Sequence, residues 1–522
     1  MRGGMSALAV AAGVAGVLTL ASFTGPPESV VEEYPTVQEP VVRTSVVCPY
    51  AGGEESGRSH VGVFALPDVP TVSDDAGPIT ARLLDIVEEP GEEADDADDD
   101  DADSPDETDS PDETDSSDEQ QEPLATVEDR GVLDITRVET AEPRSVVVQG
   151  DGTLAPGMAV EQSLRIDETD LRGLSTTTCG PASREHWFVG GSGEVGRRGR
   201  LVLSNPTSVG AVVDVELWDG AGSIDAPASQ GIAVPANSQR VLLLDAYAPD
   251  SQRVGVHVST TQGRVSAALE VREADGTTPL GMSFIPAAVQ PREEVVIPGI
   301  SDRRGGTLRI LNPGDIDAIV SLRLLGANGP YAPVDNEVVT VPSGSVFELS
   351  LDDISRDPSS IELSSDQPIT ASVRTVADPD DGGPDLAFTS ATLPLDGAAP
   401  ALFGRGGDAF TTRLYLSSVA EGPTRVTVRT LTENGEVADE QEHDIPARAT
   451  VPVEVERPED ATFATVVVEP SQPGTIVAAR EIVGSDDGGA YLDLMPLVAP
   501  VVEVGVPRVV NELPGVFDSS EE

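Results

Sequence analysis

The chain has no lysine, so all 32 of its basic residues are arginine. They face 91 Asp and Glu, for a formal net charge of −59. Such a surface repels phosphate backbones and anionic headgroups, which argues against nucleic-acid binding. Aromatic residues are only 3% of the chain, so small aliphatic and β-branched side chains must fill its cores. Two tryptophans, Trp187 and Trp218, are too few for an aromatic platform of the kind that binds carbohydrate. Both read as core residues, Trp187 within the apolar run HWFV. The four histidines (His60, His186, His257 and His443) are scattered. No HExxH, ligand-spaced His pair or Cys–His cluster is present, so no metal site and no cofactor is expected. Gly190-Gly191-Ser192-Gly193 lacks the second glycine and the strand-to-helix context of a nucleophile elbow. Nothing in the chain reads as an enzyme.

Cysteine is nearly absent as well. Cys48 and Cys179 are the two present, and an even pair in an exported chain most often forms a disulfide. Cys48 lies on the first strand expected in the chain's first module and Cys179 near the last, so neighbouring first and last strands would let them meet. In the chain-entropy description a loop of that length gives about 4–5 kcal/mol.

What is abundant is glycine (51), proline (43) and short β-branched runs, which indicate many turns and short elements. The stretch LVLSNPTSVGAVVDVELWDGAG (Leu201–Gly222) recurs as LRILNPGDIDAIVSLRLLGANG (Leu308–Gly329) and, more faintly, as LYLSSVAEGPTRVTVRTLTENG (Leu414–Gly435). A period of 107 and then 106 residues is one small domain per copy. Each copy reads as about seven short strands with turn signals every 8 to 12 residues, the pattern of an antiparallel sandwich. Strand–helix alternation is missing, which excludes a parallel α/β fold. A propeller is the structural alternative, although its blades usually have four strands over a shorter repeat. Within each copy the signature reads as a paired β-hairpin turning at Asn-Pro. Gln262-Gly263, Asp366-Gln367-Pro368 and Gln472-Pro473-Gly474 read as tight reversals between later strands.

The expected fold is therefore all-β: tandem immunoglobulin-like antiparallel β-sandwiches. They follow an N-terminal helix within residues 1–25, where Met5 to Phe23 is uncharged and lies behind Arg2. That run is either a transmembrane anchor or a secretory signal ending near Thr19-Leu20-Ala21. The charge asymmetry around it places the rest of the chain outside the cytoplasm. The modules fall at 38–183, 184–293, 294–399 and 400–507, with an acidic tail at 508–522. The first module is interrupted by a tract at 88–122 holding 20 acidic residues and no basic one. Self-repulsion and the lack of apolar residues make that tract a disordered insertion.

Short stretches that carry Arg and Gly precede the repeats. GGSGEVGRRGR, PGISDRRGG and GRGGDAF offer Arg197, Arg198, Arg303, Arg304 and Arg405 as ligand contacts for an anion or sugar phosphate. The plainer reading is a crossover loop whose arginines pair local carboxylates. Acidic loops also recur, at Arg272–Gly276, Asp378–Asp385 and Gly484–Gly489. Asp378, Asp380 and Asp381 in the middle one read either as calcium ligands or as ordinary Asp-Gly turn chemistry.

The export segment, SVVCP, TTTCGPASREHWFVGG and GRRGRLVLSNP together resemble a family of actinobacterial envelope proteins of unknown function, over about Val41 to Pro507. The resemblance implies a secreted or envelope compartment and a repeated β architecture, and it brings no established activity. The acidic insertion departs from that pattern, as does Ser417-Ser418 where the other copies have Asn-Pro. The function expected is a non-catalytic extracytoplasmic envelope scaffold or interaction protein. The alternative is a binding protein for envelope glycan or glycolipid that uses the Gly/Arg loops. The partners expected are the membrane, if the N-terminal helix is retained, and an envelope protein or glycan.

Overall fold

The computed structural model describes residues 36–52, 58–71, 77–87, 123–168, 170–301, 306–353, 357–377, 383–404, 409–459 and 461–507. The expected N-terminal helix, the acidic tract at 88–122 and the tail lie outside these residues. Among the described residues no helix is long and apolar enough to cross a membrane. The chain is nearly all strand, and the longest described α-helix is the single turn Leu244–Tyr247.

Two units are formed. In one, strands Thr36–Pro40 and Glu503–Pro507 pair as a two-stranded sheet. The other, Pro40–Val502, is a single compact unit. Within it four successive stretches, called quarters here, each bury an apolar cluster between two layers of strands. In the first quarter the layer Arg43–Ala51, Arg144–Asp151, Ile79–Leu83, Ala125–Val127 faces the layer Arg172–Thr178, Met158–Asp167, Arg58–Ala65, Leu133–Arg137. In the third quarter both layers share the 19-residue strand Ser359–Ala377. Its first half pairs with Ala318–Gly326 and its second half with Thr307–Asn312.

Outward strands show the period of two expected of a sheet with one wet face. In Ala318–Gly326, Ala318, Val320, Leu322 and Leu324 are buried, while Ile319, Ser321 and Arg323 are exposed. The last strand of the third quarter, Asp385–Ser390, is buried at every position, as is Gly489–Pro496 in the fourth. A strand covered on both faces has no alternation to display.

The signature stretch is not a hairpin. Arg197–Asn205 pairs with Ser238–Leu243 and Ser266–Asp275, whereas Ala211–Trp218 pairs with Gly255–Gln262 in the other sheet. Its strands thus face each other across the core. The same holds for the strands flanking Gln262-Gly263 and Gln472-Pro473-Gly474, and at Asp366-Gln367-Pro368 the strand runs on without reversing. Periodicity gives the face a side chain occupies and not the strand it pairs with, which is why these turns misread as hairpins.

The asparagine of the signature ties the crossing together. Asn205 Nδ2 donates to the carbonyls of Val209 (2.8 Å) and Val234 (3.1 Å), and its Oδ1 accepts from Thr207 N (3.0 Å). Asn312 makes the same set with Ile316 (2.8 Å), Val341 (3.2 Å) and Gly314 N (3.1 Å). In the third copy Ser418-Val419, not Ser417-Ser418, stands opposite Asn205-Pro206, so Ser418 takes the place of Asn205. Its Oγ keeps only the acceptor role, toward Ala420 N at 3.2 Å.

Cys48 and Cys179 are disulfide-bonded with Cα atoms 4.4 Å apart. Cys48 belongs to one layer of the first quarter, and Cys179 follows the strand Arg172–Thr178 of the opposite layer. The bridge therefore closes the first quarter across its core, where both residues are buried.

The quarters are arranged cyclically. The first meets the second where Asp85–Ile86 adds in parallel to Ser238–Leu243 and Ser145 Oγ meets Ser204 Oγ at 2.7 Å. The second meets the third through Trp187, Trp218, Leu311 and Val346. The third meets the fourth through Ser360 and Ser417 (2.6 Å) and through Arg448 with Glu362. The fourth returns to the first, for example through Leu133 N on Glu433 O at 2.9 Å.

Candidate functional site

The final strand of each quarter runs at the centre of this cycle: Arg172–Thr178, Thr278–Ile285, Asp385–Ser390 and Gly489–Pro496. Each packs one apolar side chain against the preceding quarter. Leu174 packs in the fourth cluster, Met282 against Leu164 and Ile166 of the first, Leu386 in the second, and Leu492 against Ala377 and Ala387 of the third. The backbone N–H groups of the same four residues converge on one carboxylate. Asp385 Oδ2 accepts from Leu174 N and Leu492 N, both at 2.9 Å. Its Oδ1 accepts from Met282 N (3.2 Å) and Leu386 N (2.9 Å).

Asp385 is fully buried. Burial pushes its carboxyl up to about 8, although all four N–H donors pull it down. Space for the side chain comes from glycine. A Cβ on Gly281, whose φ is +121°, would lie 2.6 Å from Asp385 Oδ1, and one on Gly173 would lie 2.8 Å from it. The sequence carries a trace of this, since GLS and LGMS of the first two quarters have glycine where the third has Asp385.

A second buried cluster lies beside the hub, between the fourth and first quarters. Arg480 has no solvent exposure. It donates to Glu161 (2.7 Å), to Thr176 Oγ1 (2.7 Å), to Asp493 (3.3 Å) and to the Leu402 carbonyl. Asp493 also accepts from Thr176 N at 2.9 Å. Burial opposes the charge on Arg480, but Glu161 and Asp493 outweigh it and hold the guanidinium above its ordinary value. Burial raises the Glu161 carboxyl, with Arg480 opposing.

Register explains why Arg480 stands out. It pairs with Leu414, just as Leu269 pairs with Leu201 and Val373 with Leu308. An arginine thus occupies a position that holds a buried aliphatic side chain in the second and third quarters. That substitution was visible in the sequence once the copies were aligned; its partners Glu161 and Thr176, 319 and 304 residues away, were not.

Above this cluster Arg165 and Arg172 both grip Asp486, at 3.0 and 2.6 Å. Their guanidinium carbons sit 4.4 and 4.0 Å from the centre of the Tyr491 ring. Burial opposes ionisation of Asp486, yet Gly488 N–H, Tyr491 and Arg172 hold its carboxyl below the usual range. The acidic loop Gly484–Gly489 is therefore a hairpin that docks on arginines of the first quarter. A cavity of about 70 Å³ opens beside the cluster, among Ile135, Leu402, Phe410, Phe463, His60 and Arg165.

The other residues singled out in the sequence do not gather into one place. Arg197 begins a strand, 3.3 Å from Glu273 and 3.1 Å from the Ala274 carbonyl, while Arg198 beside it is exposed. Arg303, Arg304 and Arg405 lie outside the described residues, as do Asp378, Asp380 and Asp381. Trp187 and Trp218 are buried, 5.9 Å apart and stacked, with His257 stacked 3.9 Å from Trp187. His186 contacts the Val265 carbonyl at 2.9 Å, and burial lowers its pKa. Among the described residues no group of three His, Cys, Asp or Glu could hold a metal ion.

Residues 135–456 match the family of unknown function DUF5719, and the chain belongs to that family. The match covers Glu161 and Asp385 and ends before Arg480 and Asp493. No curated protein matches the chain significantly.

Proposed function

We propose that this DUF5719-family protein is a non-catalytic scaffold acting outside the cytoplasm, in the cell envelope. Its four quarters are immunoglobulin-like β-sandwich modules at 38–183, 184–293, 294–399 and 400–507. The apolar N-terminal run takes the chain across the membrane, as a retained anchor or a cleaved signal. The observation that carries this reading is the Asp385 hub. Four N–H donors, one from each quarter, point at the two oxygens of one carboxyl group that has no solvent exposure. A group used in this way holds modules in a fixed relation. The Cys48–Cys179 bridge supports the compartment, because disulfides persist in oxidising surroundings. A frame of fixed modules presents its outer surfaces at constant spacing, which suits binding another envelope protein.

The test is capture of partners from envelope extract by the full-length chain after in situ crosslinking. Retention of a defined protein, lost when the hub is broken by Asp385→Ala, is the expected result. Retention of glycan alone, abolished by Arg197→Glu with Arg198→Glu, would replace the scaffold reading with a glycan-binding one.

A further inference from the structure

We propose that the strand Val437–Ile445 is a docking edge. It takes an extended segment of a partner protein, with Arg or Lys at alternate positions, as one more strand of its sheet. The scaffold reading supplies the existence of a partner, and the edge supplies its place and chemistry. Each quarter has an edge of this kind, beside Ile79–Leu83, Ala211–Trp218, Ala318–Gly326 or Thr424–Leu431. In the first three quarters it is short or broken. It is Ala125–Val127 in the first, Ser223–Ile224 and Ile232–Val234 in the second, and Gly329–Tyr331 and Val338–Val341 in the third. Pro227 and Gly231 interrupt the second and Pro333 the third. Short edge strands are one way in which sheets avoid unwanted pairing. The fourth quarter departs from this. Between Gly435 and Pro446 it has neither proline nor glycine, and its edge strand runs unbroken for nine residues. Val437–Ile445 pairs with Thr424–Leu431 on one side, and no described strand pairs along its other side. Its first six residues are exposed.

Register identifies the free backbone groups. Ser471 N–H donates to the Arg425 carbonyl at 2.9 Å, so Arg425 turns its backbone groups toward the Phe463–Pro470 side. Successive residues of an antiparallel strand alternate in this respect, so Val426 and Val428 turn theirs toward His443 and Gln441, which lie opposite them. Glu440, Glu442 and Asp444 therefore aim N–H and C=O at the open side. Such a row of unpaired groups is a template for an added strand.

Charge selects the strand that is added. Glu440, Glu442 and Asp444 share one face of the edge, and Asp439 lies on the other. Arg425 meets Glu442 at 3.3 Å and Asp444 at 3.0 Å. Arg429, opposite Glu440, is drawn instead to Glu469 at 2.7 Å. Neither Asp439 nor Glu440 makes an ion pair among the described residues. A second copy of the chain is a poor occupant. Antiparallel self-pairing about Gln441 sets Glu440 against Glu442 twice, and pairing about Glu442 sets that residue against itself. A segment with Arg or Lys at every other position lays its charges over Glu440, Glu442 and Asp444 while its backbone completes the ladder.

Capped peptides of the strand's length, added to the purified full-length protein, test the proposal. One alternates arginine and threonine, a second alternates glutamate and threonine, and a third is the arginine peptide N-methylated throughout, which keeps the charge and removes the backbone donors. Binding is followed by fluorescence anisotropy and, at the edge itself, by hydrogen exchange of residues 438–445. The arginine peptide is expected to bind saturably and to protect that segment. The other two should bind at least about tenfold more weakly and leave it unprotected. Glu442→Gln removes a charge and should weaken binding a few-fold. Glu442→Pro also removes an outward N–H, leaves the ladder to Thr424–Leu431 intact, and should weaken binding about tenfold. A normal circular dichroism spectrum identifies variants that fold. Equal binding of the N-methylated peptide would mean charge attraction alone and would overturn the proposal. So would absence of saturable binding, undiminished protection in folded Glu442→Pro, or protection by the glutamate peptide. A dimer of the protein in sedimentation that Glu442→Pro dissolves would put a second copy on the edge and overturn it as well. Failure of the arginine peptide leaves capture of a partner through other surfaces standing, and failure of capture leaves peptide binding at the edge measurable.

Discussion

The seam between the fourth and first quarters and the seam between the second and third join neighbours of the same kind by opposite means. The second and third meet through Trp187, Trp218, Leu311 and Val346, an apolar cluster flanked by exposed or half-buried pairs such as Arg374 with Glu273 at 2.6 Å. The fourth and first meet through Arg480, Glu161 and Asp493, ions with almost no solvent exposure. Chain length does not account for the difference. Closing a loop of 319 residues, the Arg480–Glu161 separation, costs only about 1 kcal/mol more than closing one of about 100. Nor do ions placed in a core stabilise it much, since a well-packed apolar replacement is often as stable or more so. What an ion cluster adds is selectivity. Consecutive quarters are held side by side by the chain itself. The first and the fourth must find each other against competing apolar surfaces, and a mismatched partner would leave Arg480 buried without its carboxylates.

That comparison can be broken most decisively at the point common to both seams. Asp385→Ala leaves four buried N–H groups without an acceptor, at about 1–3 kcal/mol each. A loss of about 4 kcal/mol or more is expected in urea unfolding, and a loss under about 1 kcal/mol would remove the hub from the account. Next, Arg480→Leu should cost about 3–5 kcal/mol by leaving Glu161 and Asp493 unpaired. Adding Glu161→Leu and Asp493→Leu should recover most of it. If the triple variant stays as unstable as the single, the ions themselves hold the seam. Leu311→Ala, in the apolar seam, should cost about 2–4 kcal/mol, and no second substitution of a charged residue should rescue it.

Acid and base sharpen the contrast further. The Asp385 carboxyl is raised in the folded protein to about 8 from an ordinary value of 3.8. The folded state thus holds a proton that the unfolded chain gives up. The stability this confers is complete below pH 4 and is lost as pH rises through 8. Glu161 is shifted in the same direction and adds to the same trend. Stability measured by urea at several pH values should fall between pH 5 and 8, less steeply in Asp385→Asn, whereas Leu311→Ala should shift the whole curve without changing its slope. The smallest effect is expected from Arg197→Ala, at most about 1 kcal/mol, because its partner Glu273 keeps Arg374 and the pair lies near the surface.

Much of the all-strand character was legible in the residues. Alternation in AIVSLRLL, glycine at turns and two cysteines placed near the first and last strands of one module lead to strands and a bridge, and each depends on local pattern. The buried tryptophans followed from their apolar neighbours. The misreadings have one physical cause. A strand's pattern records which of its faces is dry, so it cannot tell whether the next strand pairs alongside or crosses to the opposite layer, and Asn205 ties such a crossing rather than a hairpin. The candidate site was less visible still. Asp385 reads as one more acid in an acidic loop, and Arg480 as one arginine among 32.

Sequence by itself determined the secondary structure, the cysteine pairing and the absence of a recognisable catalytic motif, because these rest on neighbours within a strand or on the inventory of side chains. Tertiary structure alone decided which strands share a sheet, that the four quarters close in a cycle, and that one carboxylate gathers an N–H from each. Those outcomes depend on groups up to 319 residues apart meeting where water is excluded, and there a single charge or glycine has consequences that its local surroundings do not record.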